Sequence, residues 1–167
     1  MEKIDILKRT DIFYDLSGPQ LEMMASICDE RSVKLGEIVF EENSSGDEMF
    51  VIAHGSVEVL VDPTIVGGPE AKKRGSGSVT IATLRSGQSF GEVALVDQGL
   101  RTASARCADT ETHLLVIPRA KFNKLCDTYP ELGYRVMRNV AADLAFKIRG
   151  SDLAIREQLL WRPRPNG

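Results

Sequence analysis

Cysteine is scarce and unpaired in this chain: Cys28, Cys107 and Cys126 are widely separated, odd in number and never arranged as CxxC. A disulfide framework or structural zinc site is therefore not expected, and a reducing cytoplasm fits better. Histidine is scarcer still. His54 and His113 stand far apart with no His-x-His pair, which argues against a metalloenzyme built on a small β-barrel, so no metal is expected. Local motifs contain no Cys–His or Ser–His–Asp arrangement, and the chain does not read as an enzyme. No run of about eighteen apolar residues is available to span a bilayer, and the amino-terminal Met-Glu-Lys-Ile-Asp is charged where a signal peptide would be apolar. A formal net charge of −3 gives no general attraction for nucleic acid or an anionic membrane. What remains is a soluble, cytoplasmic chain of 167 residues, about one domain in size.

Periodicity and turn residues divide it. Residues 1–30 carry two short helices: one within residues 2–13 with Ile4, Leu7 and Ile12 on a face, and one over Pro19–Cys28 burying Leu21, Met24 and Ile27, with Ser17 as N-cap. From Arg31 the period changes to strands: Arg31–Leu35, Ile38–Glu41, Met49–Ala53 and Val57–Val61, then Val79–Leu84, Thr102–Ala108 and Thr112–Ile117. Gly36, the cluster Asn43–Asp47 and His54-Gly55-Ser56 punctuate them. Residues 31–117 thus predict a mainly β fold with flanking helices, an antiparallel, jelly-roll-like β-roll. The connection 62–78, rich in glycine and holding Lys72-Lys73-Arg74, is too long for a hairpin loop. It reads as a solvated excursion, with a partner-docking or anion-contacting loop as the alternative.

Residues 118–160 return to helical spacing. Pro118 opens a helix through Lys121–Thr128 with Phe122 and Leu125 inward, and Tyr129-Pro130 interrupts the chain. From Glu131 a long helix carries Leu132, Val136, Val140, Leu144 and Ile148 beside Met137, Ala141 and Ala145. That stripe is wide enough to pack on the roll with one flank and on a second copy with the other, giving a homodimer. Gly150-Ser151 is expected to interrupt this helix, and 161–167 form a frayed tail.

One stretch, residues 89–105, carries the chemistry. Gly91 precedes a carboxylate, Glu92, and Val93, Ala94 and Leu95 continue a short helical turn whose free N–H groups suit an anion. Arg101, followed by Thr102, Ala103 and Ser104, offers a planar fork of donors for bidentate contact with a phosphate. Glu92 is placed to accept hydrogen bonds from a neutral polyol such as a ribose.

Phe90-Gly91-Glu92-Val93-Ala94-Leu95 followed by Arg101-Thr102-Ala103-Ser104, set behind Gly36-Glu37-Ile38, Gly46-Asp47 and Ile52–Val59, resembles the phosphate-binding cassette and first strands of the cyclic nucleotide-binding domain family. The resemblance covers nearly the whole chain. It implies a cyclic nucleotide ligand, cAMP favoured with cGMP open. Glu92 would receive the ribose 2′-hydroxyl and Arg101 would pair the cyclic phosphate. The N–H groups of Ala94 and Thr102, with the Thr102 hydroxyl, would complete the phosphate's hydrogen bonds, and Gly91 would let the backbone pass close to the sugar. The long helix would close over the base, with Arg138 a candidate for stacking on it. Without a helix-turn-helix after the long helix, direct regulation of DNA is not expected. The implied role is a regulatory module that signals occupancy to a partner protein. The alternative is a structural dimer module with a vestigial pocket, in which Glu92 and Arg101 pair with each other.

Overall fold

The computed structural model describes residues 2–62 and 77–160; the 161–167 tail and most of the 62–78 connection lie outside them. Two strands decide the architecture. β3 (Glu48–His54) and β8 (Glu111–Pro118) contain the runs Met49-Phe50-Val51-Ile52 and Leu114-Leu115-Val116-Ile117, apolar at every position and buried at every position. A strand that is apolar on both faces needs cover on both faces.

The two faces meet different partners. Phe50, Ile52, Leu114 and Val116 point into the roll with Val33, Val39, Val57, Phe90, Ala105 and Cys107. Met49, Val51, Leu115 and Ile117 point the other way, into a core built with the helices. The result is a three-layer stack. One sheet, ordered β1 (Asp29–Lys34), β8, β3, β6 (Ser89–Phe90), lies in the middle. A second, ordered β2 (Ile38–Phe40), β7 (Ser104–Cys107), β4 (Ser56–Val61), β5 (Val79–Arg85), closes the roll on one side. Helices cover the other, and every strand pairing is antiparallel. The expected β-roll with flanking helices is what forms.

The amino-terminal helices are α1 (Lys3–Lys8), a 3-10 turn at Asp11–Phe13 and α2 (Gly18–Ile27). The expected N-cap is present as a full capping box: the Gln20 N–H donates to Ser17 Oγ, and the Ser17 N–H donates to Gln20 Oε1 at 2.9 Å. A four-residue helix α3 (Val93–Val96) follows β6, and α4 (Arg119–Thr128) follows β8 with Phe122 fully buried. The last element is α5, Pro130–Leu160, which lays Leu132, Val136 and Val140 into the helix-side core.

Three expectations are corrected. Gly150-Ser151 does not interrupt α5. An interior glycine costs only about 1 kcal/mol against alanine, and the Ser151 hydroxyl donates to the Lys147 carbonyl one turn back at 3.1 Å, within the helix. The buried stripe also ends earlier than its sequence spacing: Leu144 packs only partly and Ile148 is 62% exposed, because the helix has outrun the roll. Finally, the strand expected from Thr102 starts at Ser104. Arg101 is held instead by a local clamp, its N–H donating to the Ser44 carbonyl and its own carbonyl accepting from the Asn43 N–H, both at 2.8 Å.

Candidate functional site

The cassette is fixed from both ends before any side chain chemistry begins. β6 pairs with β3 through Phe50 and Phe90, whose rings stack with centroids 5.1 Å apart. Phe40 completes an aromatic trio, 5.7 Å from Phe50 and 5.9 Å from Phe90. After β6 the chain turns at Gly91 with φ +73°, a left-handed conformation that suits glycine. A Cβ there would stand 2.7 Å from Arg101 Nη1. Leu95 then anchors α3 in the helix-side core. Arg119 reaches back from α4 to donate to the Ala94 and Asp97 carbonyls, at 3.3 and 3.2 Å, satisfying acceptors that a short helix leaves open.

Arg101 is folded inward and only 8% exposed. Its guanidinium carbon sits 4.1 Å from the centre of the Phe40 ring. Nη2 donates to the Glu48 carbonyl at 2.7 Å and Nη1 to the Gly91 carbonyl at 3.3 Å, but buried Nε has no hydrogen-bond partner among the described residues. Among the described residues the guanidinium makes no ion pair. Burial pushes its pKa down from the ordinary arginine value, while the carboxylates of Glu48, Asp47 and Glu92 pull the other way. Gly46 lies against this side chain, and a Cβ there would overlap the guanidinium. A desolvated cation with an idle donor, cradled by two glycines, fits an incoming anion.

Glu92 is 5% exposed and does not pair with Arg101. Its carboxylate is met by Lys147, which extends from α5 and joins Glu92 Oε1 by a charge-assisted hydrogen bond. Lys147 also pairs with Asp143, one turn earlier on α5, at 2.9 Å. Burial works against the lysine's charge, but the hydrogen bonds to Glu92 and Asp143 outweigh it and leave its pKa above the usual value.

The remaining expected site residues divide. Ala94 is buried, with its N–H donating to the Gly91 carbonyl at 3.1 Å. Val93 is 37% exposed, Thr102 is exposed, and Ala103 is half-buried at the entrance to β7. Arg138 is exposed on α5 and holds no hydrogen bond or ion pair among the described residues, away from the contact that Lys147 makes. Phe40, Arg119 and Lys147 were not expected at the site, and Gly46 was expected only within the Gly46-Asp47 turn. The i,i+4 spacing of Lys147 from Asp143 announces their pairing on α5 but not the reach to Glu92.

A model of the cyclic nucleotide-binding domain matches residues 30–129, which span both sheets and the cassette. The chain belongs to the cyclic nucleotide-binding domain family. Among its relatives, the cyclic AMP receptor protein of Thermus thermophilus is 30% identical over 149 residues, covering 89% of this chain and 62% of that protein. A cGMP-dependent protein kinase of Drosophila melanogaster (isozyme 2, forms cD5/T2) is 30% identical over 135 residues, covering 80% of this chain and 14% of the kinase. The chain therefore spans less than two thirds of the length of either relative. The crystal structure of the Thermus thermophilus catabolite activator protein superimposes with a TM-score of 0.75 at 27% identity, over 89% of this chain and 63% of that one. As a member of this family the chain has a cyclic nucleotide as its implied ligand. Among the described residues, no group of three or more His, Cys, Asp or Glu could hold a metal ion, and no helix is long and apolar enough to cross a membrane.

Proposed function

We propose that this chain is a cytoplasmic, non-catalytic receptor for a cyclic nucleotide, cAMP in preference to cGMP, and that it reports occupancy through α5 to a partner protein. The observation that carries the reading is Arg101: a buried guanidinium with an unpartnered Nε beside Gly46 and Gly91. The cyclic phosphate supplies the missing anion. Glu92 accepts from the ribose 2′-hydroxyl, and Gly91 lets the sugar approach the backbone. The N–H groups of Ala94 and Thr102, with the Thr102 hydroxyl, complete the phosphate's shell once the Ala94 N–H leaves the Gly91 carbonyl. We assign Arg138 no ligand role. The preference for cAMP draws on the relative matched over 149 residues, which is named a cyclic AMP receptor protein.

Calorimetric titration with cAMP and cGMP tests the reading, with Arg101→Ala as control. Removing a charge-assisted phosphate contact costs about 1.5–3 kcal/mol, roughly ten- to hundredfold in affinity. Binding absent for both nucleotides in the wild type, or indifferent to Arg101, favours the structural module instead. One observation favours that second reading: Lys147 already satisfies Glu92 without a ligand.

Beyond the roll, α5 exposes Phe146, Ile148, Leu153, Ile155, Leu159 and Leu160, each at least 55% accessible. Phe146, Leu153 and Leu160 run along one side of the helix, and Ile148, Ile155 and Leu159 along the opposite side. We assign the Ile148 side to a second copy of the chain, and sedimentation of the wild type against Ile148→Glu measures it.

A further inference from the structure

Lys147 and the ribose want the same carboxylate. Glu92 is buried, with a side chain 6% exposed, and a buried carboxylate needs a donor at all times. In the free protein that donor comes from α5. Lys147 is half-exposed at 50%, reaching into the cassette from the solvent side. Under the ligand reading above, on which this inference rests, the donor becomes a neutral hydroxyl of the sugar. Both donors would take the same carboxylate, whose side chain is buried.

We propose that Lys147 is a tethered competitor of the ribose, holding Glu92 in the free protein and yielding it to the 2′-hydroxyl when the nucleotide enters. Asp143 makes the exchange inexpensive. It sits one turn earlier on the same helix and already pairs with Lys147 at 2.9 Å, so the ammonium released from Glu92 keeps an anionic partner. Glu92 in turn exchanges a cation for a hydroxyl and is never left unpaired. The exchange also links occupancy to α5. Val140 is the last residue of that helix in the buried core, and Lys147, two turns beyond it, is the contact that reaches the cassette. When the nucleotide takes Glu92, the helix beyond Val140 loses that tether. The differential contact required of any ligand-driven shift is thus a single hydrogen bond.

The competition makes Lys147 a determinant of selectivity at the sugar. A nucleotide with a 2′-hydroxyl gains Glu92 but must displace Lys147. A 2′-deoxy nucleotide neither gains the one nor displaces the other. Removing the lysine therefore helps only the ribonucleotide.

The test titrates the full chain and the variants Lys147→Met and Lys147→Arg by calorimetry with whichever of cAMP and cGMP the wild type binds, and with its 2′-deoxy analogue. Lys147→Met is expected to tighten the ribonucleotide by about threefold or more, without tightening the deoxy analogue, and Lys147→Arg to restore the wild-type ratio. Hydrogen exchange along residues 144–160 provides an arm that needs no ligand: it should be faster in free Lys147→Met than in the free wild type. In the wild type it should rise when nucleotide is added. Weaker ribonucleotide binding in Lys147→Met, equal shifts for the two sugars, or unchanged exchange in the free variant each overturn the competition while wild-type binding stands. Absence of nucleotide binding by the wild type overturns the ligand reading itself, and this exchange with it.

Discussion

Arg101 sits over Phe40, its guanidinium carbon 4.1 Å from the ring centre, and the space that permits this is the missing side chain of Gly46. The aromatic face stabilises a cation that has lost most of its water and has no carboxylate partner among the described residues. The backbone clamp from Asn43 and Ser44 then fixes the point from which the side chain departs.

Gly46→Ala follows from that contact. The new methyl group overlaps the guanidinium, a flexible group that can swing away, so the fold is expected to survive while the phosphate contact does not. Nucleotide affinity should fall by roughly tenfold or more, the scale of a lost charged hydrogen bond. The melting temperature should move by no more than a few degrees. Calorimetry beside a thermal melt separates the two; an unchanged affinity would remove Gly46 from the site.

Thr112 is a structural counterpart. Its fully buried hydroxyl donates to the Ser56 carbonyl at 3.0 Å and accepts from the Ser56 N–H at 3.1 Å, tying β8 to the start of β4. Thr112→Val keeps the shape and strands the Ser56 donor in the core. A loss of about 1–3 kcal/mol in denaturant unfolding is expected.

The Cys28 and Cys126 thiols are predicted to be inert in the folded protein. Burial pushes the Cys28 thiol up to about 12, opposed by Lys3 and Lys121, and the Cys126 thiol up to about 11. A raised thiol pKa means less thiolate at any pH below it, so alkylation at pH 8 should be slow until the chain unfolds. Mass spectrometry of iodoacetamide labelling with and without urea checks this; rapid native labelling of Cys28 would contradict its burial.

The architecture was legible because it rests on periodicity. Continuous apolar runs in β3 and β8 and glycine turns between the strands leave few ways to bury every face. Glu92 and Arg101 were legible as a pair because the cassette is local in sequence. Their surroundings were not. Gly46 and Phe40 meet Arg101 only after the roll closes, and nothing at position 147 announces a reach to position 92. The expected break at Gly150 failed for a related reason: an isolated glycine is weak against the cooperativity of a long helix.

The unbroken passage of α5 through Gly150 has a mechanical consequence. From Val140 to Leu160 the helix runs about 30 Å, at roughly 1.5 Å per residue. A rigid rod of that length multiplies small rotations. A tilt of about 10° at the edge of the roll carries its tip through about 5 Å, roughly the pitch of one helical turn. A flexible joint at Gly150 would have absorbed that motion; a continuous lever delivers it to Leu159 and Leu160.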